Sequence, residues 1–214
     1  MAAERPRLFG AAYSVYVRIA RLALIEKGVD HELVPVDIFS PEGVPEWYRE
    51  RHPFGKIPAF EHDGFRLFET AAITRYVDEA FPGPALQPAD VRERAMMTQI
   101  VSLLDAYAYR TLVWDIYVET VSKPRDGGAT DAARVAAALP RARICLETLE
   151  GLERPGPWLL GEQLTLADLH AAPMFAYFVQ ATEGRDMLAT CPGLRSWWEG
   201  IRSRDSFMKT NEGD

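Results

Sequence analysis

Apolar positions along this chain recur with two different periods, and the change from one to the other divides it. Near the start, Arg7-Leu8-Phe9 is a short strand-like run stopped by Gly10. Over residues 14–27, Val15, Ile19, Leu22, Ala23 and Leu24 follow a helical spacing that Gly28 ends. Residues 31–38 alternate as a strand does. Residues 57–60 and 65–68 make two short strands around Glu61-His62-Asp63-Gly64, where Asp-Gly is a hairpin turn signal. Residues 70–80 are helical again. The order βαβ, loop, ββα predicts a right-handed parallel crossover followed by an antiparallel pair, hence a four-stranded mixed sheet with helices against it.

Phe81-Pro82-Gly83-Pro84-Ala85-Leu86-Gln87-Pro88 then reads as a linker, and strand signals vanish beyond it. Residues 90–120 contain no Gly or Pro. Helical patterns follow over 130–153, with Pro140 as a kink or break, and over 165–180 and 192–204. The expected fold class is α+β followed by all-α: a sheet domain over residues 1–81, a linker over 82–89 and a helical bundle over 90–214.

Composition narrows the functions. Of 214 residues, 48% are hydrophobic and 26% charged, with a net charge of −7, enough for a real core without metal or disulfide. An acidic chain gains nothing from counterion release, which speaks against nucleic acid as a partner. No run is long and apolar enough to span a membrane, and the start lacks an apolar leader. The two cysteines, Cys145 and Cys191, form no metal or redox spacing, and neither do His31, His52, His62 and His170. A reducing cytoplasm is the expected compartment.

Four local motifs remain. Thr165-Leu166-Ala167-Asp168 is a capping box and speaks only of a helix start. Lys56-Ile57-Pro58-Ala59-Phe60 carries a Pro at the mouth of a strand. A trans, strand-initiating Pro is the commoner case there; a cis bond would turn the Ile57 backbone outward toward an extended peptide. Lys56 is one of only four lysines. Glu69-Thr70-Ala71-Ala72-Ile73 opens a helix whose first N–H groups suit an anion, though ordinary capping explains it as well. Gly10-Ala11-Ala12-Tyr13-Ser14 lets the backbone approach a ligand and ends on a hydroxyl that is either a plain N-cap or a donor to a thiolate at the helix terminus.

Taken together, these motifs resemble the cytosolic glutathione transferase family over roughly residues 7–205. His52-Pro53-Phe54-Gly55-Lys56-Ile57-Pro58, Leu67-Phe68-Glu69-Thr70 and Gly161-Glu162-Gln163-Leu164-Thr165-Leu166-Ala167-Asp168 carry the likeness. Within the family, Ser14 and the Pro-Phe-Gly motif look most like the phi class and related bacterial members. The resemblance implies a thioredoxin-like first domain, a cis Ile57-Pro58 bond, glutathione as co-substrate without metal, and a homodimer. Lys56, Ile57, Pro58, Glu69 and Thr70 would bind glutathione. Ser14 would serve its thiolate, with Tyr13 the runner-up and Tyr16 third. A small apolar electrophile would meet Ala12, Tyr13, Tyr107, Arg110, Trp114 and Tyr117, the last four on one broad helical face. Rival readings are a non-catalytic dimeric binding member and a glutathione-dependent isomerase or peroxidase. The family's His-Lys pair, which takes the glycine carboxylate, is replaced near Gly43-Val44, and Arg49, Arg51 or His52 would have to stand in.

Overall fold

A computed structural model describes residues 4–211, which pack as two compact units, one of residues 4–86 with 205–211, the other Gln87–Arg204.

In the first unit β1 (Arg7–Phe9) pairs in parallel with β2 (Glu32–Val34) through the crossover helix α1 (Val15–Glu26). On its other side β1 pairs antiparallel with β3 (Ala59–His62), which continues through the Asp63-Gly64 turn into β4 (Phe65–Phe68). The sheet order is β2-β1-β3-β4, the mixed topology that the pattern predicts. A short helix α2 (Glu46–Arg49) interrupts the loop before β3, and α3 (Thr70–Ala80) follows β4.

The C-terminal end of α1 is tied down by Lys27, a nearly buried lysine. Its Nζ donates to the Asp78 carbonyl at 3.0 Å, the Asp78 carboxylate at 3.1 Å and the Pro84 carbonyl at 3.0 Å. Three oxygens around one ammonium satisfy a charge that burial would otherwise penalise. They also bring the proline-rich segment onto the first unit, where Leu86 is buried. Gly83 is required there, because a Cβ would lie 2.9 Å from the Lys27 carbonyl oxygen and its φ is +122°.

The chain end departs from the expected 90–214 domain. Helix α10 (Asp205–Asn211) packs on α1, not within the bundle. The reason is Arg18, 1% exposed on α1, whose guanidinium donates to Asn211 Oδ1 at 2.6 Å and lies 5.6 Å from the Phe207 ring centroid. Ser206 also donates to Glu26. A buried arginine needs partners, and the final helix supplies them.

The second unit is helical. Helix α4 (Val91–Leu103), capped by Asp90, runs into a π-helix, π1 (Leu104–Ser122), and a short turn α5 (Lys123–Arg125). Then come α6 (Ala132–Leu152), α7 (Leu166–Phe178), α8 (Thr182–Ala189) and α9 (Pro192–Arg202). Pro140 does not break α6. It lies on the exposed face, so the Ala136 carbonyl that loses its helical partner faces water. π1 carries two buried acids. Asp115 meets Arg134 at 2.7 Å, Arg110 at 3.1 Å and Arg141 at 3.2 Å. Glu119 meets Lys123 and Arg134, both at 2.8 Å, and the Lys123 hydrogen bond holds its carboxyl below the usual range. These pairs cross-link π1 to α6. Helix α7 is buried on every side, its start fixed by the Thr165–Asp168 capping box. Among the described residues, no helix is long and apolar enough to cross a membrane.

Candidate functional site

The site of the first unit begins at Gly10, between β1 and α1. A Cβ here would meet Val17 Cγ2 at 2.4 Å and Ile57 Cβ at 3.2 Å, at φ +155°. Only glycine lets the first turn of α1 and the Ile57 loop close on each other. Ser14 is the N-cap of α1, half-buried, and its Oγ accepts weakly from the Val17 N–H at 3.5 Å. An accepting Oγ keeps its own proton available to donate. The first helical N–H groups beside it present the positive end of the helix dipole, so a thiolate placed there gains both interactions.

The Ile57-Pro58 bond is cis, as the resemblance implies and contrary to the commoner strand-initiating case. Ile57 is buried at 7% exposure, yet its N–H and carbonyl make no backbone hydrogen bond among the described residues. An unpaired extended backbone of this kind has the donor and acceptor that a strand-like peptide could pair with. The preceding carbonyl, of Lys56, is held by the Tyr48 hydroxyl at 2.6 Å, and burial pushes that phenol's pKa up. The loop backbone is therefore braced from beneath while the Lys56 side chain stays exposed.

Glu69 precedes α3 with φ +70° and ψ 116°, an uncommon conformation for a residue with a side chain. Its carboxylate is exposed and makes no cap hydrogen bond, whereas Thr70 is buried. His52 links the two motifs. It is 3% exposed, its buried Nδ1 has no partner among the described residues, and its ring packs 5.0 Å from Phe68. Burial pushes its pKa down, the Glu69 charge raises it and Lys56 lowers it again. Both charged groups thus lie within electrostatic reach of one imidazole, and the fold brings together Gly10, Ser14, Lys56, Ile57, Glu69 and Thr70 in one unit.

Tyr13 points elsewhere. Its ring, 42% exposed, stacks on Phe39 at 6.4 Å with an interplanar angle of 25°. Burial, then the Asp37 charge, raise its pKa, so it is a poorer acid than an ordinary phenol. Ala12 is half-buried beside it.

In the second unit the four residues expected on one face separate. Tyr107 and Arg110 line a cavity of about 550 Å³ between π1 and α6, with Ile144 and Cys145 opposite. Tyr117 is buried against Tyr177 of α7 at 4.7 Å, and Trp114 bonds with Tyr109. The α-helical spacing assumed for them fails because π1 is wound more loosely, as the Lys123 N–H bonding back five residues to Val118 shows.

Phe39 was not singled out by the sequence, and Arg49 and His52 entered only as stand-ins for the missing His-Lys pair. All three belong to loops and a one-turn helix with no period to read. A large aromatic in a Pro-bounded loop, Pro35 to Pro41, was the available signal for Phe39.

A thioredoxin-like sheet domain with a cis-Pro loop beside a helix N-terminus, followed by an all-helical unit, is the architecture of the glutathione transferases. Family models agree: "Glutathione S-transferase, N-terminal domain" matches residues 8–85 and "Glutathione S-transferase, C-terminal domain" matches residues 100–205. A glutathione S-transferase of Hyoscyamus muticus is 31% identical over 208 residues, 96% of this chain and 97% of that protein. Among solved structures, glutathione transferase F2 from Populus trichocarpa superposes with a TM-score of 0.86 at 27% identity, covering 97% of each chain. Glutathione S-transferase I from maize, in complex with an atrazine glutathione conjugate, gives 0.79 at 29% identity, covering 97% of this chain and 96% of that one. The chain belongs to the glutathione S-transferase family, a family of transferases with glutathione as co-substrate.

Proposed function

We propose that this chain binds glutathione along the Ile57 backbone and activates its thiolate at Ser14 for attack on a small apolar electrophile. The observation that carries the reading is the open Ile57 backbone, held across Gly10 from the N-terminus of α1. Glu69 takes the ligand's ammonium, the N-terminus of α3 at Thr70 its α-carboxylate, and Lys56 its other anionic end. The protein contributes no covalent nucleophile. It lowers the pKa of the bound thiol and holds the sulfur in place, so the gain is in thiolate fraction and proximity.

Arg49 replaces the missing cationic contact near Gly43-Val44. Its Nη1 lies 3.6 Å from where a Gly55 Cβ would be, against Val44, and it carries no ion pair among the described residues. Its rivals are spoken for. Arg51 bonds Glu61 and the Trp47 carbonyl and lies over the Phe9 ring, and His52 is buried. Calorimetric titration tests both points. Glutathione is expected to bind the wild type, and absence of binding at millimolar ligand overturns the function. Arg49→Ala is expected to weaken glutathione about threefold to tenfold, as for an exposed charge pair, and to leave γ-glutamylcysteine, which lacks the glycine carboxylate, unchanged. Equal loss for both ligands removes Arg49 from the role.

A homodimer completes the reading. Phe54 is 72% exposed, yet its ring is held edge-on against His52 at 6.3 Å and Phe68 at 6.2 Å. A rigid exposed aromatic beside the binding loop is a typical interface anchor. Light scattering is expected to give twice the 24.0 kDa chain mass for the wild type and a shift toward monomer for Phe54→Glu. A variant that stays dimeric rules Phe54 out as the anchor.

A further inference from the structure

We propose that His52 is a positioning residue: its imidazole ties the loop that presents Lys56 and Ile57 to the turn that presents Glu69, and so fixes the span between the two ends of the ligand site. The inference rests on the glutathione-binding role of Ile57 and Glu69 and adds the residue that sets them against each other. The His52 N–H donates to the Tyr48 carbonyl at 3.0 Å, and its carbonyl accepts from the Gly55 N–H at 2.9 Å, which closes the turn into Lys56. The Tyr48 hydroxyl donates to the Lys56 carbonyl at 2.6 Å, and the Tyr48 ring stacks on the imidazole at 6.4 Å. One edge of the site is thereby built on His52.

The other edge reaches His52 through Phe68, whose ring centroid lies 5.0 Å from that of the imidazole. Phe54 meets His52 and Phe68 edge-on, at 6.3 Å and 6.2 Å. Phe68 immediately precedes Glu69, whose φ of +70° is costly for a residue with a side chain and persists only where neighbours hold it. The Glu69 carboxylate makes no cap hydrogen bond, so its place follows its backbone. The imidazole itself is buried and makes no hydrogen bond among the described residues. Burial lowers its pKa and leaves it neutral near pH 7; the charged groups that face it are Glu69, ahead of α3, and Lys56 in its own loop. A neutral ring without a hydrogen bond contributes through packing, and being uncharged it does not compete with a ligand's ammonium for Glu69.

Calorimetric titration with glutathione tests the role. His52→Ala is expected to weaken binding about fivefold to tenfold, whereas the midpoint of thiolate formation in the binary complex, set at Ser14, should not move. A general loosening of the unit would shift both. His52→Leu fills nearly the same volume without a ring nitrogen and should stay within about twofold of the wild type. A double-mutant cycle with Glu69→Gln separates positioning from simple support. Glu69→Gln alone is expected to weaken glutathione about tenfold, as for a charge-assisted hydrogen bond, but less than about threefold in the His52→Ala background. If the alanine variant does not fold, His52→Val carries the same cycle. Additive losses, unchanged binding in His52→Ala, or a leucine variant as weak as the alanine one overturns the positioning role. In each of those cases the wild type still binds glutathione and the parent reading stands; a wild type that binds none refutes both.

Discussion

Ser14→Ala is expected to cut glutathione-dependent turnover about 10-fold to 100-fold while the protein stays folded. In the proposed complex the hydroxyl donates to a charged sulfur, and a hydrogen bond to a charged group is worth about 1.5–3 kcal/mol, or roughly one to two decades in rate. The same loss raises the pKa of bound glutathione. The bound thiol is reactive when deprotonated, so the rising limb of the pH–rate profile should move alkaline by about one to two pH units. The folding cost is small, because the cap bond to Val17 is long at 3.5 Å and a lost N-cap costs about 1 kcal/mol. Thiol titration in the binary complex and the pH profile check this directly. An unmoved midpoint, or a larger loss from Tyr13→Phe, assigns the thiolate to another group. The structure argues against Tyr13, whose ring is committed to Phe39 and whose pKa is raised by burial and Asp37.

The second large effect lies in the helical unit, at Asp168. Its carboxylate is fully buried and accepts four hydrogen bonds. These come from the Leu159 N–H at 2.8 Å, the Thr165 N–H at 2.7 Å, the Thr165 hydroxyl at 2.9 Å and Trp197 Nε1 at 2.9 Å. Burial pushes its pKa up, and the donors pull it back. One side chain therefore closes the capping box of α7, fixes the Leu159 loop and anchors the indole of α9. Asp168→Ala leaves four buried donors without an acceptor and is expected to cost about 3–5 kcal/mol, measured by urea unfolding followed through tryptophan fluorescence. Asp168→Asn keeps one oxygen but turns an NH₂ toward other donors, and should fall between. A loss under about 1 kcal/mol for the alanine variant contradicts this account. The prediction is about the fold: any loss of activity should track loss of folded protein.

Much of the first unit was legible because its elements are amphipathic and its turns are chemical. The 14–27 period, the Gly28 stop and the Asp-Gly turn each predict what β1-α1-β2 and β3-β4 show. The motifs around Ser14, Ile57-Pro58 and Glu69 were readable as a set, although each alone has an ordinary explanation. The helical unit was less legible in detail. Helix α8 went unseen, Pro140 read as a kink or break, and Tyr107, Arg110, Trp114 and Tyr117 read as one face. The last of these has a definite cause: an assumed α-helical period carries no information on π winding.

By itself the sequence determined the two-part division, the mixed sheet and the capping box at Thr165-Asp168, and it supplied the candidate groups for the glutathione site proposed above. Periodicity, turn chemistry and residue type are properties of neighbours in the chain. Only the tertiary structure decided that Arg18 recruits the last helix and that Arg51 is spent on Glu61 while Arg49 carries no ion pair among the described residues. It also placed the Tyr13 ring on Phe39. Each of these depends on which charge or ring is desolvated by residues far away in the chain, and burial is set by packing.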